Sequence, residues 1–165
     1  MVYDKQALDA LALALIKAKE SIAVAESVTA GHLQAALSGA TKALQFFQGG
    51  ITTYNIGQKT RHLSVDPVHA LEVNSVSLKV SEQMALGVSR LFIADWGVGI
   101  TGFASKAPAI GEMSLYAEYV VVKNGIMVHS GRIDAVKEED SFKVQVYFTN
   151  QVLQILVTLL QGKIC

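Results

Sequence analysis

The run Ile22-Ala23-Val24-Ala25 carries no polar side chain and stops at Glu26-Ser27-Val28-Thr29, where hydroxyls and small residues take over. So short an apolar run, bounded by such a turn, reads as the end of a buried strand. Amphipathic segments flank it. Leu8, Leu11, Leu15 and Ile16 share one face of a helix that Asp4 can cap, and Leu33, Ala36 and Leu37 share one face of a helix running from about Thr29 to Gly39. A second strand, Gly50 to Asn55, leads to Lys59 on the next helical turn. A serine at a strand-to-helix turn, with backbone N–H groups unpaired at the helix start, is a place where an anion or a developing oxyanion can sit. A lysine one crossover away makes the pair suit a Ser–Lys amide hydrolase.

The rest of the chain continues the alternation. Ala43, Leu44, Phe46 and Phe47 read as a buried helical turn before Gly49-Gly50. Asp66-Pro67 is a helix start, since proline at the first helical position gives up no needed hydrogen bond. Ser77 or Ser81 caps a longer helix on which Val80, Met84, Val88 and Leu91 align. Trp96 to Phe103 reads as a strand and Ala104 to Met113 as a loop. Leu115 to Val122 and Ile126 to Ile133 read as two strands joined through Asn124-Gly125, both of which tolerate positive φ. A long helix from Asp140 closes the chain. Helices separating strands, with one antiparallel hairpin, predict a single α/β domain over residues 1–165 with a mixed sheet.

Composition narrows the function classes. Basic and acidic residues balance at 14 each, which leaves no electrostatic footprint for nucleic acid. Hydrophobic residues make up 51% and charged residues 17%, with a mean hydropathy of +0.36. So apolar a chain is expected to bury a large core and to cover further surface as a homo-oligomer. No run reaches the length of a membrane span, and the start MVYDKQAL lacks the basic-then-apolar order of a signal peptide. Cys165, the single cysteine, closes no internal disulfide. Cytoplasmic location is the expectation.

Several patterns look chemical and have plainer readings. Gly97-Val98-Gly99-Ile100-Thr101-Gly102 spells the dinucleotide fingerprint, but its glycines lie inside a strand and no helix opens on the last of them. Close packing of that strand under a helix, or exposure of its backbone to a ligand, accounts for them. His32, His62, His69 and His129 are scattered without zinc spacing, and only His32 lies near the Ser27 turn. Glu138-Glu139-Asp140 suits a helix N-terminus. On residue type alone Ser27 or Thr29 reads equally as a helix cap, and Lys59 as a solvated lysine.

AESVTAGHLQAALS, GGITTYN followed by Lys59, NSVS at 74–77 and GITGFA at 99–104 together resemble the C-terminal domain of the CinA competence/damage-inducible proteins. Stand-alone members of that family are nicotinamide mononucleotide deamidases. The resembling segments run in order along nearly the whole chain, with no room among them for the further N-terminal domain of longer members. The resemblance implies a three-layer α/β/α domain with a mixed sheet. It also implies hydrolysis of a pyridine mononucleotide's carboxamide to the acid and ammonia, without metal or other cofactor. Carried over by position, Ser27 is the nucleophile and Lys59 its activating base, while Tyr54 and Thr101 match the family's tyrosine and threonine, one or the other of which orients the pair. Val28, Thr29, Ala30 and Gly31 then hold the oxyanion or a phosphate.

The chain departs from the family pattern where substrate is held. Val28 and Ala30 stand in the family's A-E-S-C-T-G-G, and Phe103 to Gly111 stands where the family has a glycine-rich loop. The arginine at the start of the last helix is absent; Lys143, with Lys106 as a rival, is the nearest substitute for a phosphate contact. Two function classes follow. One is an amidohydrolase acting on a pyridine mononucleotide or related small amide. The other is a non-catalytic relative that binds a nucleotide or protein partner through the same cleft.

Overall fold

Residues 22–25 show no polar side chain because helices cover them on both sides. They belong to β1 (Ile22–Glu26), paired in parallel with β2 (Phe47–Thr52) and β3 (Trp96–Phe103). The computed structural model describes residues 2–135 and 140–162. β4 (Tyr116–Lys123) and β5 (Ile126–Asp134) continue the sheet antiparallel beyond β3, in the order β2-β1-β3-β4-β5. Helices α1 (Lys5–Ala18), α2 (His32–Ser38) and α6 (Ser141–Leu160) pack on one face, and α3 (Ile56–Leu63), α4 (Pro67–Glu72) and α5 (Leu78–Leu91) on the other. The strand period of two sorts the core accordingly: Ile22 and Val24 join the first layer's cluster, Ala23 and Ala25 the second's. The fold is a three-layer α/β/α sandwich with a mixed sheet.

Local signals account for most boundaries. Asp4, Asp66, Ser77 and Asp140 each accept a backbone N–H at the start of α1, α4, α5 and α6. Ser81 is not the cap of α5; it lies inside the helix and donates to the Glu118 carbonyl at 2.8 Å. Asn124 and Gly125 both take positive φ, 51° and 76°, at the β4–β5 turn. Glu138, Glu139 and Cys165 lie outside the described residues.

Four expectations are corrected. β2 begins at Phe47 and ends at Thr52, so Gly49-Gly50 lies inside the strand and Asn55 instead caps α3 through the Gln58 N–H. Leu44 is fully exposed at a 3-10 turn, and Phe46 fills the core in its place. α2 starts at His32 rather than Thr29, because Gly31 takes φ 99° at its cap. Leu91, aligned by spacing with Val80, Met84 and Val88, is half exposed at the end of α5.

The glycines of β3 explain how closely α5 can approach. Trp96, Val98 and Ile100 point into the α1/α6 layer, so Gly97, Gly99 and Thr101 point toward α5. A Cβ on Gly99 would meet the Ser81 carbonyl oxygen and come within 2.6 Å of the Ala85 nitrogen. The apparent dinucleotide fingerprint is therefore a packing surface for a helix. Gly99→Ala is expected to destabilise the fold by about 2–4 kcal/mol in urea titrations, since backbone has to move. Gly57→Ala, on the exposed side of α3, is expected to stabilise by about 0.5–1 kcal/mol.

Candidate active site

At the carboxyl edge of the sheet the chain leaves β1 toward α2 on one face and leaves β2 toward α3 on the other. Opposite exits of this kind open a crevice. Ser27 sits at its floor. Its N–H donates to the Ile100 carbonyl at 3.0 Å, prolonging the β1–β3 ladder by one step, so its side chain falls on the α3/α5 side beside Thr101. Lys59 arrives from α3, where Ile56, Lys59 and Leu63 share the inward stripe of the helix. A lysine in a core position of a short helix is wholly buried, at 0% exposure.

The Lys59 amine has three partners, all oxygen. Nζ lies 2.9 Å from Ser27 Oγ, 2.9 Å from the Thr53 carbonyl and 3.2 Å from the Tyr54 carbonyl. No carboxylate among the described residues pairs with it. Burial therefore acts against the charged form and lowers its pKa from 10.5 to about 8. When neutral, the amine can give its two hydrogens to the two carbonyls and turn its lone pair to the Ser27 hydroxyl. Tyr54 thus contributes through its main chain, while the residue as a whole is 76% exposed at the mouth of the crevice.

Glu26 shapes the turn that follows Ser27. The carboxylate is fully buried, with Oε2 accepting from Gly31 and Leu33 at 3.1 and 2.9 Å and Oε1 from Gln34 at 2.8 Å. It occupies the N-terminus of α2, which is therefore not open to a substrate phosphate or oxyanion. Ala30 N–H is taken by the Ser27 carbonyl at 3.2 Å. Among the described residues, the N–H groups of Val28 and Thr29 have no acceptor and are the donors left in this turn.

Ser27, Val28, Tyr54, Lys59 and Thr101 converge on one cleft of about 360 Å³, a volume suited to a small molecule. Thr29, Ala30, Gly31, Lys106 and Lys143 are not among its lining residues. Ser105 and Ala107 line it while Lys106 between them faces out, and Ser141 and Gln145 line it one helical turn apart while Lys143 is exposed. His32 packs in the other layer, its Nδ1 2.8 Å from the Tyr3 hydroxyl and its ring edge-on to Phe142. No group of three His, Cys, Asp or Glu among the described residues is arranged to hold a metal. No described helix is long and apolar enough to cross a membrane. The sequence reading missed Glu26 as a helix cap, whose signal is an acid ending an apolar strand. It also missed the wall Asn74-Ser75-Val76, which lies between two helices.

Two measurements test this geometry. Glu26→Gln turns an amide NH2 toward N–H donors and is expected to destabilise by about 2 kcal/mol in urea titrations. For Lys59 the folded pKa of about 8 lies below the unfolded 10.5, so the unfolded chain holds more protons between those values. Wild type is therefore expected to gain stability over Lys59→Met as pH rises through that window, by roughly 3 kcal/mol in all. Urea midpoints of both proteins from pH 7 to 10.5 check it.

The sequence and the fold both have known relatives. The CinA C-terminal domain family matches residues 4–157. A CinA-like protein of Prochlorococcus marinus is 33% identical over 136 residues, covering 79% of this chain and 32% of that protein. A CinA-like protein of Rippkaea orientalis is 37% identical over 116 residues, covering 70% and 27% respectively. The chain thus spans about a third or less of these relatives. Among solved structures, a competence-damaged protein (CinA) superfamily protein from Klebsiella pneumoniae superposes with a TM-score of 0.88 at 23% identity, covering 96% of this chain and 98% of that one. Its counterpart from Escherichia coli superposes at 0.84 with 25% identity, covering 94% and 89%. A family match over nearly all of its length, carried on the same sandwich, means that the chain belongs to the CinA C-terminal domain family.

Proposed function

We propose that the chain is a serine amidohydrolase that releases ammonia from a small carboxamide, with the pyridine mononucleotide of the family resemblance as its first candidate substrate. The observation that carries the reading is the Lys59 amine, buried with no counter-ion among the described residues, held by two carbonyls and 2.9 Å from Ser27 Oγ. With a pKa of about 8, about a tenth of such amines are neutral at pH 7. That is enough for a general base working near its pKa. Neutral Lys59 takes the Ser27 proton as Oγ attacks the carboxamide carbon. The carbonyl oxygen moves onto the N–H of Val28, which lines the cleft. The Lys59 ammonium then protonates the departing nitrogen, ammonia leaves, and water activated by the same amine cleaves the acyl-serine. The exposed Tyr54 ring offers a face on which an aromatic amide can stack.

Ammonia release from nicotinamide mononucleotide and other pyridine carboxamides tests the reading. Ser27→Ala and Lys59→Met are each expected to lower kcat/KM on the order of a thousandfold or more. In wild type, log kcat/KM is expected to rise with unit slope and level off above pH about 8. If wild type and Ser27→Ala are equally inactive while a nucleotide still binds, the site is a binding module and the hydrolase reading fails.

A further inference from the structure

The Thr101 hydroxyl has a fixed direction. Its Oγ1 lies 2.9 Å from the Ser75 carbonyl oxygen, and a carbonyl only accepts, so the single hydroxyl proton points there. Thr101 is 1% exposed and yet lines the cleft beside Ser27. Among the described residues, no donor reaches Oγ1. Lone pairs are therefore all that this buried oxygen can offer to a ligand.

The backbone opposite is shaped to keep the proton there. Asn74 and Ser75 take consecutive left-handed conformations, φ 50° and 63°, between α4 and α5. Asparagine tolerates that region, whereas serine adopts it against its steric preference. The Ser75 N–H to the Ala70 carbonyl at 2.7 Å and the Val76 N–H to the Val73 carbonyl at 3.0 Å hold the turn. Its result is a Ser75 carbonyl aimed at β3.

We infer that Thr101 is the specificity-determining group that separates carboxamide from carboxylate in this cleft, accepting an amide N–H and opposing the acid. A carboxamide brings two N–H donors, while an ionised carboxylate brings only acceptors. At a position removed from water, lone pair against lone pair is unfavourable, and the acid has no proton with which to relieve it. The substrate amide gains a hydrogen bond that also fixes which of its atoms faces the Val28 N–H group. The product acid loses that bond and is driven out. This inference rests on the hydrolase reading, and its test separates the two.

Calorimetry in the Ser27→Ala background measures nicotinamide mononucleotide and nicotinic acid mononucleotide without turnover. Adding Thr101→Val is expected to weaken the amide about tenfold and to leave the acid unchanged or tighter, while Thr101→Ser keeps the original ratio. Equal loss for both ligands, or a larger loss for the acid, overturns the inference and leaves the hydrolase reading standing. Ammonia release by wild type with no binding of either ligand to Ser27→Ala also counts against it. No ammonia release and no binding of either ligand overturns both. A crystal structure of Ser27→Ala with the amide bound leaves Thr101 untouched and serves if Thr101→Val does not fold. The amide nitrogen within hydrogen-bond distance of Oγ1 supports the inference; the amide oxygen there, or no contact, overturns it.

Discussion

Glu26 ends a strand and starts a helix at once, because its buried carboxylate accepts from three N–H groups in the first turn of α2. A charge at zero exposure is tolerated only when donors replace the water it has lost. Here the donors are the ones a helix start leaves unpaired. The same bonds draw α2 back against β1 and leave residues 27–30 to make a tight turn above it. That turn presents Ser27 and the Val28 N–H at the sheet edge.

Lys59 is the opposite case, a buried cation given carbonyl dipoles and, among the described residues, no anion. Dipoles solvate an ammonium less well than water or a carboxylate does, so burial brings the amine's pKa down to about 8 at some expense of stability. A carboxylate within reach would have steadied the fold and kept the lysine charged. The carboxylate that stands one residue from Ser27 is turned into the other layer and consumed by α2. Strand alternation thus keeps acid and amine apart on the two sides of one sheet.

Much of the fold was legible from residue patterns. The apolar run at 22–25, the Asn124-Gly125 turn and the capping residues Asp4, Asp66 and Asp140 each fix a local choice, and local and global preferences agree. β2 was misplaced because Gly49-Gly50 looks like a break. In fact Gly50 lies under Gln34 and Val24, whose atoms approach to within 2.7 Å of where a Cβ would stand. Such a contact joins residues far apart in sequence and leaves no local mark. For the site, Ser27 and Lys59 were nameable because a motif fixed their spacing. The Ser75 carbonyl and the Lys59 carbonyl partners were not, since any residue supplies a carbonyl and only the backbone path decides where it points.

The bare faces of Gly97 and Gly99 set the thickness of the joint between β3 and α5. That helix begins just past the wall carrying Ser75, and the strand runs on to Thr101 only two residues beyond Gly99. The joint works as a calliper whose jaws are a hydroxyl and a carbonyl and whose stop is a missing methyl group. Widening the stop opens the jaws. Variants at these glycines that still fold would then pass, in a screen scored by turnover, for changes in the catalytic groups themselves.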